Sequence, residues 1–111
     1  MEVYMDYAAT TPVDPRVLQA MQPYFTKEYG NTMSLHKQGR NAKEALEQSR
    51  QAVAALMNAK PNELIFTGSA TEANNTVIKG IAYANKNKGK HIIISAIEHH
   101  CILEPAQWLE Q

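Results

Sequence analysis

A short apolar run without polar alternation constrains the fold most: His91-Ile92-Ile93-Ile94-Ser95. Consecutive isoleucines suit a β-strand whose two faces are both covered, as in a parallel sheet between layers of helices. Residues 63–67 predict a second strand, and the segment from Gly68 to Lys90 is long enough for a crossover helix. The pattern therefore predicts an α/β fold with one right-handed βαβ unit.

Four helices are predicted along the chain. Asp14-Pro15 begins the first, because aspartate caps free N–H groups and proline needs no partner at the first helical position. Residues 42–57 place apolar side chains at helical spacing, and residues 71–85 do the same. A last helix begins near residue 100 and has no stop signal before Gln111. Two strands alone would leave unpaired N–H and C=O groups at their outer edges. We therefore expect the N-terminal part of a larger α/β protein.

Composition argues against several classes of protein. Eleven basic and eleven acidic residues among 111 give no net charge, which disfavours a nucleic-acid surface. No apolar run approaches the roughly 18 residues of a membrane span, and the N-terminus lacks the pattern of a secretory signal. Cys101 is the only cysteine, which excludes an internal disulfide and a cysteine-only zinc site. We expect a globular, cytoplasmic protein that binds neither nucleic acid nor membrane.

The first candidate site spans residues 66–72, Phe-Thr-Gly-Ser-Ala-Thr-Glu, where a predicted strand turns into a helix. The free N–H groups and positive dipole end of a helix suit a phosphate, and the Thr71 hydroxyl adds a donor. The same residues also fit a plain turn with Ser69 or Thr71 as the N-cap, so both interpretations stay open. Neither the P-loop motif of NTPases nor the glycine-rich fingerprint of dinucleotide-binding folds is present.

The second candidate site is Glu98-His99-His100-Cys101, directly after the second predicted strand. Ligands of open parallel sheets bind beyond the carboxyl ends of strands, so Ala70, Thr71 and His99 are expected to face one crevice. The imidazole of His99 could stack on a planar cofactor and move a proton, or it could cap the next helix. Consecutive residues rarely point at one ion, so no metal site is predicted. Cys101 is interpreted as a small core residue rather than a nucleophile.

Four segments, in chain order, match the motifs of one known family: residues 4–15, residues 30–40 with Gly30-Asn31 and Ser34-Leu35-His36, residues 70–75, and residues 89–100 ending in Glu98-His99-His100. Together they resemble the pyridoxal-phosphate-dependent cysteine desulfurases, class V aminotransferase-like enzymes of iron–sulfur cluster assembly. Two departures stand out. The chain has Thr32-Met33 where the family usually has Pro-Ser, and Gly68-Ser69 reverses the family's usual Ser-Gly order.

The resemblance implies a fold-type I transferase that depends on pyridoxal 5'-phosphate (PLP), with a mostly parallel sheet and helices on both faces. It implies that residues 1–13 form a loop segment on the active-site side. Residues 14–111 would then begin the large PLP-binding domain, which would be incomplete here, with one βαβ unit plus helices.

The resemblance also implies roles for particular residues. Ala70 and Thr71 would bind the cofactor phosphate. His99 would stack on the pyridine ring and act as the catalytic proton-transfer residue. Ala9 and Thr10 would lie on a loop at the substrate side.

The activity implied is conversion of L-cysteine to L-alanine by a homodimer. Sulfur would pass through an enzyme persulfide to an acceptor or iron–sulfur scaffold protein. The family's Schiff-base lysine and persulfide cysteine lie downstream of the matching region, so these 111 residues alone are expected to be inactive. Two alternatives are a selenocysteine lyase or another class V enzyme, and a truncated, non-catalytic protein that docks with another chain.

Overall fold

The computed structural model describes the whole chain, residues 1–111, and contains four α-helices. They are α1 (Pro15–Thr26), α2 (Lys37–Leu56), α3 (Ala70–Asn85) and α4 (His100–Glu110), with a 3₁₀ turn at Pro61–Glu63. The four predicted helices are therefore confirmed. The chain forms two compact units, Met1–Leu64 and Ile65–Gln111. None of the helices has both the length and the apolar composition needed to cross a membrane.

The two predicted strands are not formed, so the predicted βαβ unit is wrong for this structure, which is helical only. Glu63 ends the 3₁₀ turn, and residues 64–67 lie outside any helix or strand. Residues 91–95 also lie outside any helix or strand, and Ile93 is 89% exposed. A strand needs neighbouring backbone to pair with its N–H and C=O groups. An apolar run expresses a preference for burial but does not supply that neighbour.

Helix α1 begins at the residues that the sequence indicates. Asp14 is the N-cap, and its Oδ1 accepts a hydrogen bond from the Arg16 N–H at 2.8 Å. Pro15 occupies the first helical position, where no N–H is needed. The helix ends at Thr26, within one turn of Pro23, which cannot donate to the helix interior.

The loop before α2 packs closely onto the start of that helix. His36 is the N-cap, and its Nδ1 accepts the Gly39 N–H at 3.3 Å. A Cβ on Gly39 would collide with the carbonyl oxygen of Ser34, and one on Gly30 would collide with that of Gln38. Both positions therefore require glycine for close backbone approach rather than for an unusual φ.

Helices α3 and α4 pack against each other in the second unit. Toward the end of α3, the rings of Tyr83 and Trp108 meet edge to face with centroids 6.4 Å apart. The Lys79 ammonium lies 4.8 Å from the centroid of the Trp108 ring. Near the start of both helices, Asn74 Nδ2 donates to Cys101 Sγ at 3.0 Å. The helix pair is thus joined by side-chain contacts at two separate places.

Little apolar surface is removed from water. Ala54 in α2 is the one fully buried hydrophobic residue. The accessible surface is 10030 Å², whereas a compact monomer of 12.4 kDa would have about 6,100 Å². Many apolar side chains of the helices and of the isoleucine run therefore stay exposed.

Candidate functional site

Helix α3 begins with a side-chain cap that involves Ser69. Its backbone is extended, and its Oγ accepts the Glu72 N–H at 3.2 Å. Glu72 Oε2 in turn accepts the Gly68 N–H at 2.7 Å. Of the two N-caps that the sequence allows, Ser69 is therefore the one used. Gly68 does not have a positive φ, so the reversed Gly-Ser order needs no special backbone conformation and provides a capping hydroxyl.

Ala70 and Thr71 occupy the first two positions of α3. Their N–H groups have no partner within the chain, and the Thr71 hydroxyl makes no hydrogen bond either. These three donors lie at the positive end of a sixteen-residue helix. Such an end is chemically suited to a phosphate. Phosphate binding by Ala70 and Thr71 stays a prediction.

His99 is the N-cap of α4, and its Nδ1 accepts the Cys101 N–H at 3.1 Å. The interpretation of His99 as a helix cap is therefore confirmed. The cap also has a chemical consequence, because a neutral imidazole with Nδ1 as acceptor carries its proton on Nε2. We assign the proton to Nε2 from this hydrogen bond. The ring is thus held at one nitrogen and free to exchange a proton at the other.

A cleft of about 460 Å³ between α3 and α4 is lined by both Thr71 and His99. The structure thus brings these two residues to one concave surface, whereas Ala70 lies next to Thr71 without lining the cleft. Asn75 and Lys79 line the same cleft, although no sequence motif marked them as candidate site residues. They follow Thr71 by four and eight positions, and this helical spacing was the signal for a shared face.

Ala9 and Thr10 lie in the first unit, on an exposed turn. Their N–H groups donate to the Asp6 carbonyl at 3.1 and 3.4 Å, and the Tyr4 hydroxyl lies 3.4 Å from the Thr10 carbonyl oxygen. The turn is therefore held by local hydrogen bonds. Its place on the substrate side stays a prediction.

No group of three His, Cys, Asp or Glu side chains could hold a metal ion.

Comparison with known proteins identifies the family. The family model for aminotransferase class-V matches residues 3–111. The chain therefore belongs to the aminotransferase class-V family, as its sequence motifs indicate.

Individual relatives show which members of this family the chain is similar to. The chain is 49% identical over 110 residues to cysteine desulfurase IscS of Dictyoglomus turgidum, and 51% identical over 110 residues to that of Clostridium botulinum. Each alignment covers 99% of this chain and 28% of the relative, so the chain spans a little over a quarter of these relatives' length. A solved structure described as a NifS-like protein superposes with a TM-score of 0.91 at 38% identity, over 99% of this chain and 30% of that one.

Proposed function

We propose that this chain is the N-terminal part of a PLP-dependent cysteine desulfurase. The enzyme would remove sulfur from L-cysteine, leave L-alanine, and pass the sulfur as a persulfide to an acceptor or iron–sulfur scaffold protein. One observation carries the proposal: Thr71 and His99, a phosphate-type donor and a proton-transfer group, line one cleft. The similarity to proteins named cysteine desulfurase supports the choice of reaction.

The residues present fit a cofactor that carries a phosphate. The unpartnered N–H groups of Ala70 and Thr71, with the Thr71 hydroxyl, would bind that phosphate. When bound, PLP supplies an electron sink for chemistry at the α-carbon of an amino acid. The ring of His99 would lie against the cofactor ring and move a proton at Nε2, while the Cys101 N–H holds Nδ1.

The wider architecture is part of the same proposal. The likeness to the NifS-like structure supports a fold-type I enzyme, in which residues 14–111 begin the large domain and residues 1–13 form a loop on the active-site side. The uncovered apolar side chains support burial against further protein, and we infer a cytoplasmic homodimer. Ala9 and Thr10 would approach the substrate from that loop.

The reaction is tested with the purified enzyme that contains this chain. The enzyme is loaded with PLP and assayed in the presence of a thiol reductant. We expect L-cysteine to yield alanine and sulfide in equal amounts, measured by amino-acid analysis and a sulfide assay. Turnover of L-selenocysteine but not L-cysteine would instead indicate a selenocysteine lyase. Amino transfer to a 2-oxo acid would indicate another class V enzyme, and no turnover of any substrate would favour the non-catalytic alternative.

A further inference from the structure

The Asn74–Cys101 contact joins the two helices that carry the candidate site. It is the one side-chain hydrogen bond between α3 and α4, with Asn74 Nδ2 donating to Cys101 Sγ at 3.0 Å across 27 positions of sequence. Both residues are half-buried. Asn74 lies one helical turn after Thr71, and Cys101 lies two residues after His99. The bond therefore connects the second turn of α3 to the first turn of α4.

Cys101 also holds the His99 ring. Its N–H donates to His99 Nδ1 at 3.1 Å, while its Sγ accepts the amide of Asn74. The cap bond constrains the ring, because Nδ1 has to face the Cys101 N–H. Any movement of the first turn of α4 moves that N–H and the ring with it. The orientation of His99 across the cleft is thus linked to α3 through two consecutive hydrogen bonds.

The aromatic and cation–π contacts between the helices lie too far from His99 to perform this role. Tyr83 and Lys79 meet Trp108, which lies nine positions beyond His99 on α4. At a rise of about 1.5 Å per residue, this contact is roughly 13 Å along the helix axis from the ring. The aromatic contact can hold the helices together without fixing the first turn of α4.

We propose that Asn74 and Cys101 are positioning residues that set the orientation of His99 relative to Thr71. The catalytic consequence rests on the proposed function, whereas the orientation of the ring is a property of the helix pair itself. The pair acts through hydrogen bonds alone, and Cys101 does not take part in sulfur chemistry.

The test uses the complete enzyme with Asn74→Leu, which removes the amide donor and keeps the branched shape of the side chain. The matched control is Asn85→Leu on the same helix, because Asn85 Nδ2 donates to the Ile81 carbonyl at 3.0 Å and does not reach α4. Two readouts do not depend on turnover: the tautomer of the His99 ring by ¹⁵N NMR, and the alkylation rate of Cys101 by iodoacetamide, followed by peptide mass spectrometry.

In Asn74→Leu we expect the His99 proton to lose its preference for Nε2. We also expect alkylation of Cys101 to slow by up to about 2- to 12-fold, because the reacting thiolate loses a hydrogen-bond donor that stabilises it. In the active enzyme, kcat should fall and its pH profile should shift, with PLP retention unchanged. The control should change none of these quantities.

Cys101→Ala is a second variant, which removes the acceptor but keeps the capping N–H. It should weaken the Nε2 preference in the same direction, and it keeps the test open if Asn74→Leu does not fold. An unchanged His99 tautomer in both variants would overturn the proposal, as would an unchanged kcat and pH profile in an active enzyme. If no variant, including the wild type, turns over cysteine, the proposed function fails while the tautomer and alkylation data still decide the positioning role.

Discussion

Two histidines cap helices in the same way, yet we assign chemistry to one of them. The Nδ1 of His36 accepts an N–H at the start of α2, and the Nδ1 of His99 does so at the start of α4. The difference lies in their surroundings, because His99 lines the cleft that also contains the Thr71 donor. The two residues therefore form a natural pair for separating a capping role from a catalytic one.

We predict that His99→Ala lowers the turnover of cysteine about 10²- to 10⁴-fold while PLP stays bound, because general acid–base help is lost. His36→Ala removes a comparable cap and should cost about 1 kcal/mol of stability without a change of this size in kcat. Steady-state kinetics and PLP titration check both variants. If His99→Ala lost PLP but recovered its full turnover number when resaturated, His99 would serve in binding only.

Thr71 and Thr76, both on α3, provide a second comparison between a site residue and a control. We predict that Thr71→Val weakens PLP binding about 10- to 150-fold, because one charge-assisted hydrogen bond of about 1.5–3 kcal/mol is lost. Turnover should largely return in excess PLP. The Thr76 hydroxyl instead donates to the Glu72 carbonyl at 2.8 Å, so Thr76→Val should leave the Kd for PLP unchanged. Equal PLP affinities in the two variants would contradict the phosphate role of Thr71.

Asp14 carries a pH-dependent contribution to α1. The side chain of Arg16 donates to its carboxylate, and the Arg16 N–H adds a backbone hydrogen bond, so the pKa of Asp14 is lowered from its ordinary value. A lowered folded-state pKa means that the stabilisation is present above the ordinary carboxyl pKa. It is lost as the pH falls through the lowered value.

We predict that Arg16→Gln raises the pKa of Asp14 toward its ordinary value without restoring it fully, since the backbone N–H still donates. A ¹³C NMR titration of the Asp14 carboxyl in the complete enzyme measures this shift. Lys27→Gln, which removes a positive charge from the other end of α1, should leave the titration unchanged. A titration of Asp14 that is identical in wild type and Arg16→Gln would show that the ion pair does not form in solution.

Side-chain caps stabilise the helix ends, and the Ser69 cap stabilises the end of α3 that carries Ala70 and Thr71. We predict that Ser69→Ala costs about 0.5–2 kcal/mol locally and speeds hydrogen exchange of the Glu72 amide about 2- to 30-fold. Ser49→Ala is the control, because Ser49 lies inside α2 and its Oγ bonds the Ala45 carbonyl. Hydrogen-exchange mass spectrometry on the complete enzyme measures both. Unchanged exchange at the start of α3 in Ser69→Ala would rule out the cap.

For the molecule as a whole, the exposed apolar surface is the dominant energetic feature. The isoleucines of residues 92–94 line a cleft of about 650 Å³ with apolar residues of α3 and α4. Nothing in the chain covers these surfaces to the extent that a stable core requires.

We predict that the isolated 111-residue chain melts without a cooperative transition, binds the dye ANS and does not turn over cysteine. Circular dichroism, calorimetry and dye fluorescence provide the measurement. The complete enzyme, measured in parallel, should melt cooperatively. A sharp transition of a monomeric 111-residue chain would contradict this prediction.

Local chemistry explains which parts of this protein are predictable from sequence. Caps, proline positions and helical periodicity act within a few residues, so Asp14-Pro15, the span of α3 and the cap at His99 follow from local sequence. The candidate site was predictable for the same reason, because its donors lie at helix starts. The predicted strands failed because strand pairing depends on distant backbone rather than on local sequence, and residues 64–67 and 91–95 form no strand here. The Asn74–Cys101 bond joins positions 27 residues apart and has no sequence signature, so the packing of α3 against α4 alone determines it.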